Sequence, residues 1–328
     1  MTGLTAGALS TGYGVHKLLG PVDLTLAAGE FVCLIGANGA GKSTLIRTLC
    51  GVQPPLSGAL RIDGAPLAAL DPTDRARRLA VVLTDRVASL QMRGRELAAL
   101  GRYPHVGWHG RLGTTDLAAV DLALEQSGAL GLADRLVAEM SDGERQKIMI
   151  ARALAQEPQV LVLDEATAFL DLPRRVEIFQ LLVQLARTRN IAVLLSTHDL
   201  DLALRCADTI WLIDADRQLH QGAPEDLALG GQLATAFAAD GLVFDALSGE
   251  MRLAASAVQS MQLTGQGAPV AWARRALARA GYGVDDSAPH SVHADEGGFV
   301  YRGDAPPRHF PTLAALVHAL RHGAGKAA

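Results

Sequence analysis

Residues 36–43 read Gly36-Ala37-Asn38-Gly39-Ala40-Gly41-Lys42-Ser43, a complete G-x-x-x-x-G-K-S phosphate loop. Such a loop has to leave a buried strand and enter a helix. Its glycines turn backbone N–H groups toward phosphate oxygens, and the new helix aims its positive end at the same anion. The flanks meet that demand: Phe31-Val32-Cys33-Leu34-Ile35 is an apolar run of strand length, and Thr44-Leu45-Ile46-Arg47-Thr48-Leu49 reads as helix. Asn38, Gly39, Ala40, Gly41, Lys42, Ser43 and Thr44 are therefore candidate nucleotide contacts, with Lys42 a mobile cation and Ser43 a hydroxyl for Mg²⁺. A glycine-rich turn without function is the bland alternative, and the strand–loop–helix context disfavours it.

A second half of the same site is legible downstream. Val160-Leu161-Val162-Leu163 is a short, wholly apolar run of the kind buried in parallel sheets. It ends in Asp164-Glu165, where a carboxylate is placed to hold the Mg²⁺ shell and its neighbour to act on an attacking water. Ile191-Ala192-Val193-Leu194-Leu195 leads to Ser196-Thr197-His198-Asp199 and reads as a further strand, with His198 beyond its end and within reach of a γ-phosphate. Between them, Ser141 and Glu144 have the S-x-x-E spacing of a capping box, so a helix is predicted to start there and to end before Pro158.

Composition narrows the classes. The 328-residue chain is 49% hydrophobic, enough for two domains with a large core. Lys+Arg 30 against Asp+Glu 34 leaves no basic excess, so no nucleic acid partner is expected. Cys33, Cys50 and Cys206 are scattered and odd in number, which points to a reducing compartment. The start lacks a basic, then apolar, leader, and no stretch reaches ~18 consecutive apolar residues. A cytoplasmic protein is expected.

Taken together, the motifs resemble the ATP-binding subunit of an ABC transporter: the phosphate loop, then Ser141-Asp142-Gly143-Glu144-Arg145-Gln146, Leu163-Asp164-Glu165, Phe169-Leu170-Asp171 and His198. The resemblance covers about residues 8–240. It implies an α/β fold, a P-loop NTPase core of ABC ATPase type with a helical subdomain at about 86–157, followed by a small C-terminal α+β domain at 241–328. It also implies that Tyr13 stacks on adenine and that ATP and Mg²⁺ are bound. Glu165 and His198 would serve catalysis, and Ser43 and Asp164 the metal. Each ATP would be closed by the signature of a second copy, with Ser141, Asp142, Gly143 and Glu144 acting across the interface and Asp171 near it. Integral membrane permease subunits would be the further partners, with a periplasmic or lipoprotein substrate-binding protein acting indirectly, so the chain would sit on the inner face of the cell membrane. Arg95-Glu96-Leu97 and Gly101-Arg102-Tyr103-Pro104-His105 resemble the importers of iron–siderophore, haem or cobalamin. The alternative is a soluble ABC ATPase without a permease, of the cluster-assembly type.

Three positions depart from that pattern. Thr84 stands where the family usually carries a metal-contacting glutamine, with Asp85 as a possible substitute ligand; Asp142 replaces a first signature glycine; Ala166 replaces a proline after Glu165. A carboxylate beside a γ-phosphate repels it, so the Asp142 side chain is expected to turn away, toward cations of its own helix or a partner.

Past residue 240 the pattern predicts a hairpin over Phe244 to Leu253 turning at Ser248-Gly249 and a strand from Val258 to Leu263. A helix over Pro269 to Ala280 is stopped by Gly281, strands follow at Ser291–His293 and Gly298–Arg302, and a last helix covers Leu313 to Arg321. This domain is expected to regulate or dimerise. Its five histidines, His290, His293, His309, His318 and His322, read as surface residues: no cysteine accompanies them, and only the last two share i, i+4 spacing.

Overall fold

Parallel strands buried on both faces have no polar side to alternate, so they appear as unbroken apolar runs. The computed structural model, which describes residues 3–83, 91–107, 109–238, 242–246, 249–253 and 259–322, assembles those runs into one sheet. Its strands are β3 (Phe31–Gly36), β6 (Leu79–Val82), β7 (Val160–Asp164), β8 (Ala192–Ser196), β9 (Thr209–Ile213) and β10 (Leu219–Gly222). Their order is β10-β9-β3-β8-β7-β6, parallel except for β10. Every residue of β3 and β8 is buried. The phosphate loop joins β3 to α1 (Lys42–Leu49), and α6 (Leu172–Arg189) sets Phe179 edge-on to Phe31, centroids 6.0 Å apart.

A second, antiparallel sheet is formed by β1 (Leu4–Tyr13), β2 (His16–Leu26), β4 (Ser57–Ile62) and β5 (Ala65–Pro66), ordered β2-β1-β4-β5. The period-2 pattern does not announce β1, because register shifts between Ala6 and Leu9, Leu9 and Thr11, and Thr11 and Gly12 break it. After α2 (Pro72–Arg78), three helices pack on one another: α3 (Gly94–Ala99), α4 (Thr114–Gln126) and α5 (Asp142–Leu154). The short helices α7 (Leu200–Cys206), α8 (Pro224–Leu229) and α9 (Gln232–Ala236) pack instead on the large sheet, α7 on β3, α8 on β10 and α9 on β9. Among the described residues, no helix is long and apolar enough to cross a membrane.

The chain divides into two compact units, Met1–Ala238 with Phe244–Glu250, and Ala239–Val243 with Met251–Ala328. The two-stranded pair β11 (Leu242–Asp245) and β12 (Glu250–Leu253) lies where the chain passes between them in sequence; Ser248 of the expected turn is outside the described residues. The second unit holds a five-stranded sheet ordered β14-β13-β15-β16-β17: β13 (Gln259–Gly265), β14 (Tyr282–Val284), β15 (Ser291–Asp295), β16 (Gly298–Arg302) and β17 (Arg308–Phe310). Helices α10 (Gly267–Arg279) and α11 (Leu313–His322) pack on it around Met261, Ala273, Leu277, Val292, Leu316 and Leu320. Strands β14 and β17, three residues each, were too short to give a periodic signal. Three of the histidines here bond within the unit: His290 to the Tyr301 hydroxyl (2.9 Å), His293 to Thr264 (3.0 Å) and His309 to the Gly297 carbonyl (3.1 Å).

Candidate active site

Strand register builds the site. Ser196, the last residue of β8, pairs with Asp164, the last residue of β7, and with Leu34 of β3, two residues before the phosphate loop. Three chain segments far apart in sequence therefore end at one edge of the sheet, the carboxyl edge where ligands of such sheets sit. Gly39 and Gly41 adopt φ of 78° and 107°, a region open to glycine without strain, which lets the loop close around an anion. Lys42 is 5% exposed, and its Nζ donates to the carbonyls of Gly36 (2.8 Å) and Ala37 (3.2 Å). Burial pulls its ammonium below the ordinary lysine value, while the charges of Glu165 and Asp164 oppose that shift. Ser43 is exposed one residue on. Asn38 is exposed in the loop, Ala40 is buried beneath it, and Thr44 is buried with its hydroxyl 3.1 Å from that of Tyr13. That bond holds the half-exposed Tyr13 ring beside the start of α1.

Glu165 follows β7 and points its Oε1 at Nε2 of His198, 2.7 Å away. The two line a cleft of about 160 Å³ with Thr167, Ala168, Arg175, Thr197 and Asp199. Arg175 bridges Asp199 (2.9 Å) to the Leu170 carbonyl (3.0 Å), which ties the segment after His198 to the one before Asp171. This carboxylate–imidazole pair has the geometry to orient and deprotonate a water.

The signature segment opens α5. Ser141 is its N-cap, and the capping box read from the sequence forms: Ser141 Oγ accepts from the Glu144 N–H at 3.3 Å and Glu144 Oε2 accepts from the Ser141 N–H at 2.9 Å. Asp142 turns to Arg145 of its own helix, 2.8 Å away. Gly143 lies under Arg174, and a Cβ added there would stand 3.3 Å from that side chain. Asp171 caps α6, accepting from the Arg174 N–H at 3.0 Å. Ser141 and Asp171 are exposed, while Gly143 is buried beneath Arg174. Thr84 and Asp85 lie outside the described residues.

Sequence reasoning gave no role to Ser196 or Arg175. A serine closing an apolar strand is the one signal that marked Ser196; Arg175 needed the fold to bring Asp199 near, whereas Arg145 is the own-helix cation toward which Asp142 was expected to turn.

Among the described residues, no group of three or more His, Cys, Asp or Glu side chains is arranged to hold a metal. Mg²⁺ needs none, because it is bound through one or two protein oxygens with waters and substrate phosphates. The hard oxygens of Ser43 and Asp164 fit such an ion.

Comparison with known proteins agrees with this geometry. Residues 19–168 match the family described as ABC transporter, and residues 258–321 match the iron ABC transporter C-terminal domain. An ABC transporter ATP-binding protein of Methanocaldococcus jannaschii is 43% identical over 67% of this chain and 76% of its own. The achromobactin transport ATP-binding protein of Dickeya dadantii is 35% identical over 73% of this chain and 89% of its own. Among solved structures, cbiO1 of Clostridium perfringens, part of the ABC transporter complex cbiONQ, superposes with a TM-score of 0.62 at 26% identity, covering 71% of this chain and 93% of that one. A complete phosphate loop, a carboxylate pair at the end of β7 on the same sheet edge and relatives of this extent lead to one conclusion: the chain belongs to the ATP-binding subunits of ABC transporters and is an ATPase.

Proposed function

We propose that this ATPase energises a membrane importer of iron(III)-siderophore, haem or cobalamin by closing as a head-to-tail pair on two ATP molecules. The observation that carries the reading is the 2.7 Å pairing of Glu165 with His198 at the sheet edge that also bears the phosphate loop. In this reading Asn38, Gly39, Ala40, Gly41, Lys42, Ser43 and Thr44 bind the phosphates and Tyr13 carries the adenine. Ser43 and Asp164 hold Mg²⁺, which when bound neutralises phosphate charge. Glu165 takes a proton from the attacking water, and His198 keeps that carboxylate oriented. The exposed Ser141 and the buried Gly143 belong to a signature that serves the ATP of the second copy, with Asp171 beside the shared interface. The Asp142–Arg145 pair removes the objection to a carboxylate in that signature, since its charge is answered within the helix.

The cargo class is supported by what relatives are named for: achromobactin for the Dickeya protein, ferric enterobactin for one of Escherichia coli, iron(3+)-hydroxamate for one of Bacillus subtilis and cobalamin for one of Halobacterium salinarum. The match of residues 258–321 to an iron-transporter C-terminal domain points the same way. Integral membrane permease subunits, with a substrate-binding protein beyond them, are the partners this reading requires, and the inner face of the cell membrane is its place. Residues 1–240 form the ATPase domain and 241–328 a regulatory or dimerising one. A Glu165→Gln chain held closed with ATP and used as bait on detergent-solubilised membranes tests the reading. Recovery of a polytopic permease is expected; recovery of soluble proteins alone would favour the cluster-assembly type.

A further inference from the structure

We infer that Ser196 is a positioning residue whose single hydroxyl holds the Asp164 carboxylate and the backbone of Glu165 together, and so sets how tightly the divalent cation accompanies the nucleotide. This rests on the reading of Asp164 and Glu165 given above.

Ser196 is the only polar residue of β8 and is 0% exposed. A buried hydroxyl must find partners or cost stability, and this one finds two. It donates to Asp164 Oδ1 at 2.6 Å, a short charge-assisted bond. It accepts from the Glu165 N–H at 3.0 Å, and the Ser196 carbonyl takes the same N–H at 3.2 Å. The strand register sets Ser196 directly opposite Asp164, so these bonds need no distortion of the sheet.

Glu165 needs that hold. Its φ is +50°, in the left-handed region that a residue with a Cβ avoids. Such a conformation persists where its surroundings over-determine it. Here the backbone N–H of Glu165 is shared between two Ser196 oxygens, while its side chain is fixed by His198. Without the hydroxyl, the Asp164 carboxylate loses a bond that restrains its rotation, and the Glu165 peptide loses one of its two tethers. Alanine or valine at this position would satisfy the apolar strand and leave the Asp164 carboxylate and the Glu165 backbone less constrained. Groups that orient metal-binding carboxylates in this way typically change affinity or activity about 10–100-fold when removed.

The test compares Ser196→Ala, Ser196→Thr and Glu165→Gln in the full chain. Mn²⁺ serves as the spectroscopic probe, its affinity read by electron paramagnetic resonance with ADP present so that no turnover contributes. Ser196→Ala is expected to bind Mn²⁺ about 10–100-fold more weakly and to lose kcat by a similar factor, while still unfolding in one cooperative transition above the assay temperature. Ser196→Thr keeps the hydroxyl and is expected to recover most of both. Mn²⁺ affinity and kcat both unchanged in Ser196→Ala would overturn the inference, as would a folded threonine variant no better than alanine. Glu165→Gln separates the underlying reading: it should lose turnover while binding Mn²⁺ normally. If it turns over like the parent, the assignment of Glu165 fails, while the Mn²⁺ result for Ser196→Ala still decides the tie to Asp164.

Discussion

Replacing Arg102 by methionine should destabilise the first unit far more than a surface substitution does. The Arg102 side chain is 5% exposed and meets three acceptors: Asp116 at 3.0 Å, Glu157 at 2.6 Å and the Ala155 carbonyl at 2.7 Å. Glu157 is 61% exposed, so that pair is screened and contributes little. The other two bonds each involve a charged group, the one to Ala155 buried and the one to Asp116 partly so, and are worth roughly 1.5–3 kcal/mol apiece. Methionine keeps the apolar stem in place, which limits the packing loss. Asp116 is not stranded, since it still accepts from the Gly113 N–H at 3.0 Å, and the Ala155 carbonyl loses one donor. The net cost is about 2–4 kcal/mol, or a fall of about 5–12 °C in the calorimetric transition of a unit this size. The Gly113 N–H first, and Arg102 after it, hold the Asp116 carboxyl below the ordinary range. A depressed carboxylate stabilises above its unfolded value and loses that contribution as pH falls through the folded one. The gap between parent and Arg102→Met should therefore narrow below about pH 3.9. A variant within about 0.5 kcal/mol of the parent at pH 7 would refute the assignment of Arg102 as a structural tie from the segment after α3 to Asp116 of α4 and to the Ala155 carbonyl at the end of α5.

Tyr13→Ala should weaken ATP binding about 3–10-fold, the size of one aromatic contact, and equilibrium titration with unchanged affinity would remove the adenine role. Burial pushes the Cys50 thiol up to about 12 and that of Cys33 well above its ordinary value, so a maleimide at pH 8 should modify Cys206 first, with the other two silent until denaturant is added. Peptide mapping that finds Cys50 labelled at a comparable rate in the native protein would contradict this packing. Gly58→Ala places a Cβ 2.5 Å from the Ala8 carbonyl at a φ of +93°; a loss above about 2 kcal/mol is expected in urea unfolding, and a neutral result would mean that the bulge between β1 and β4 relaxes freely.

The sequence alone determined whatever rests on near neighbours. The phosphate loop, the capping box at Ser141, the apolar strands β3, β7 and β8, and the helices of the second unit are all set by residues within a turn or a strand of one another, and each appears where its local pattern put it. Asp164, Glu165 and His198 were legible as candidates because they end such strands. The antiparallel sheet of β1, β2, β4 and β5 was not, since bulges disrupt the alternation that would have revealed it. Nor was the role of Ser196, which lies 32 residues from Asp164 and meets it only through strand register, or the anchoring of Arg102 by Ala155, 53 residues away. Those contacts depend on how strands are ordered and shifted against each other, a choice made by burial of the whole sheet at once. A single strand or helix carries its own periodicity; it does not carry the identity of the neighbour that will satisfy its last hydroxyl or its buried cation.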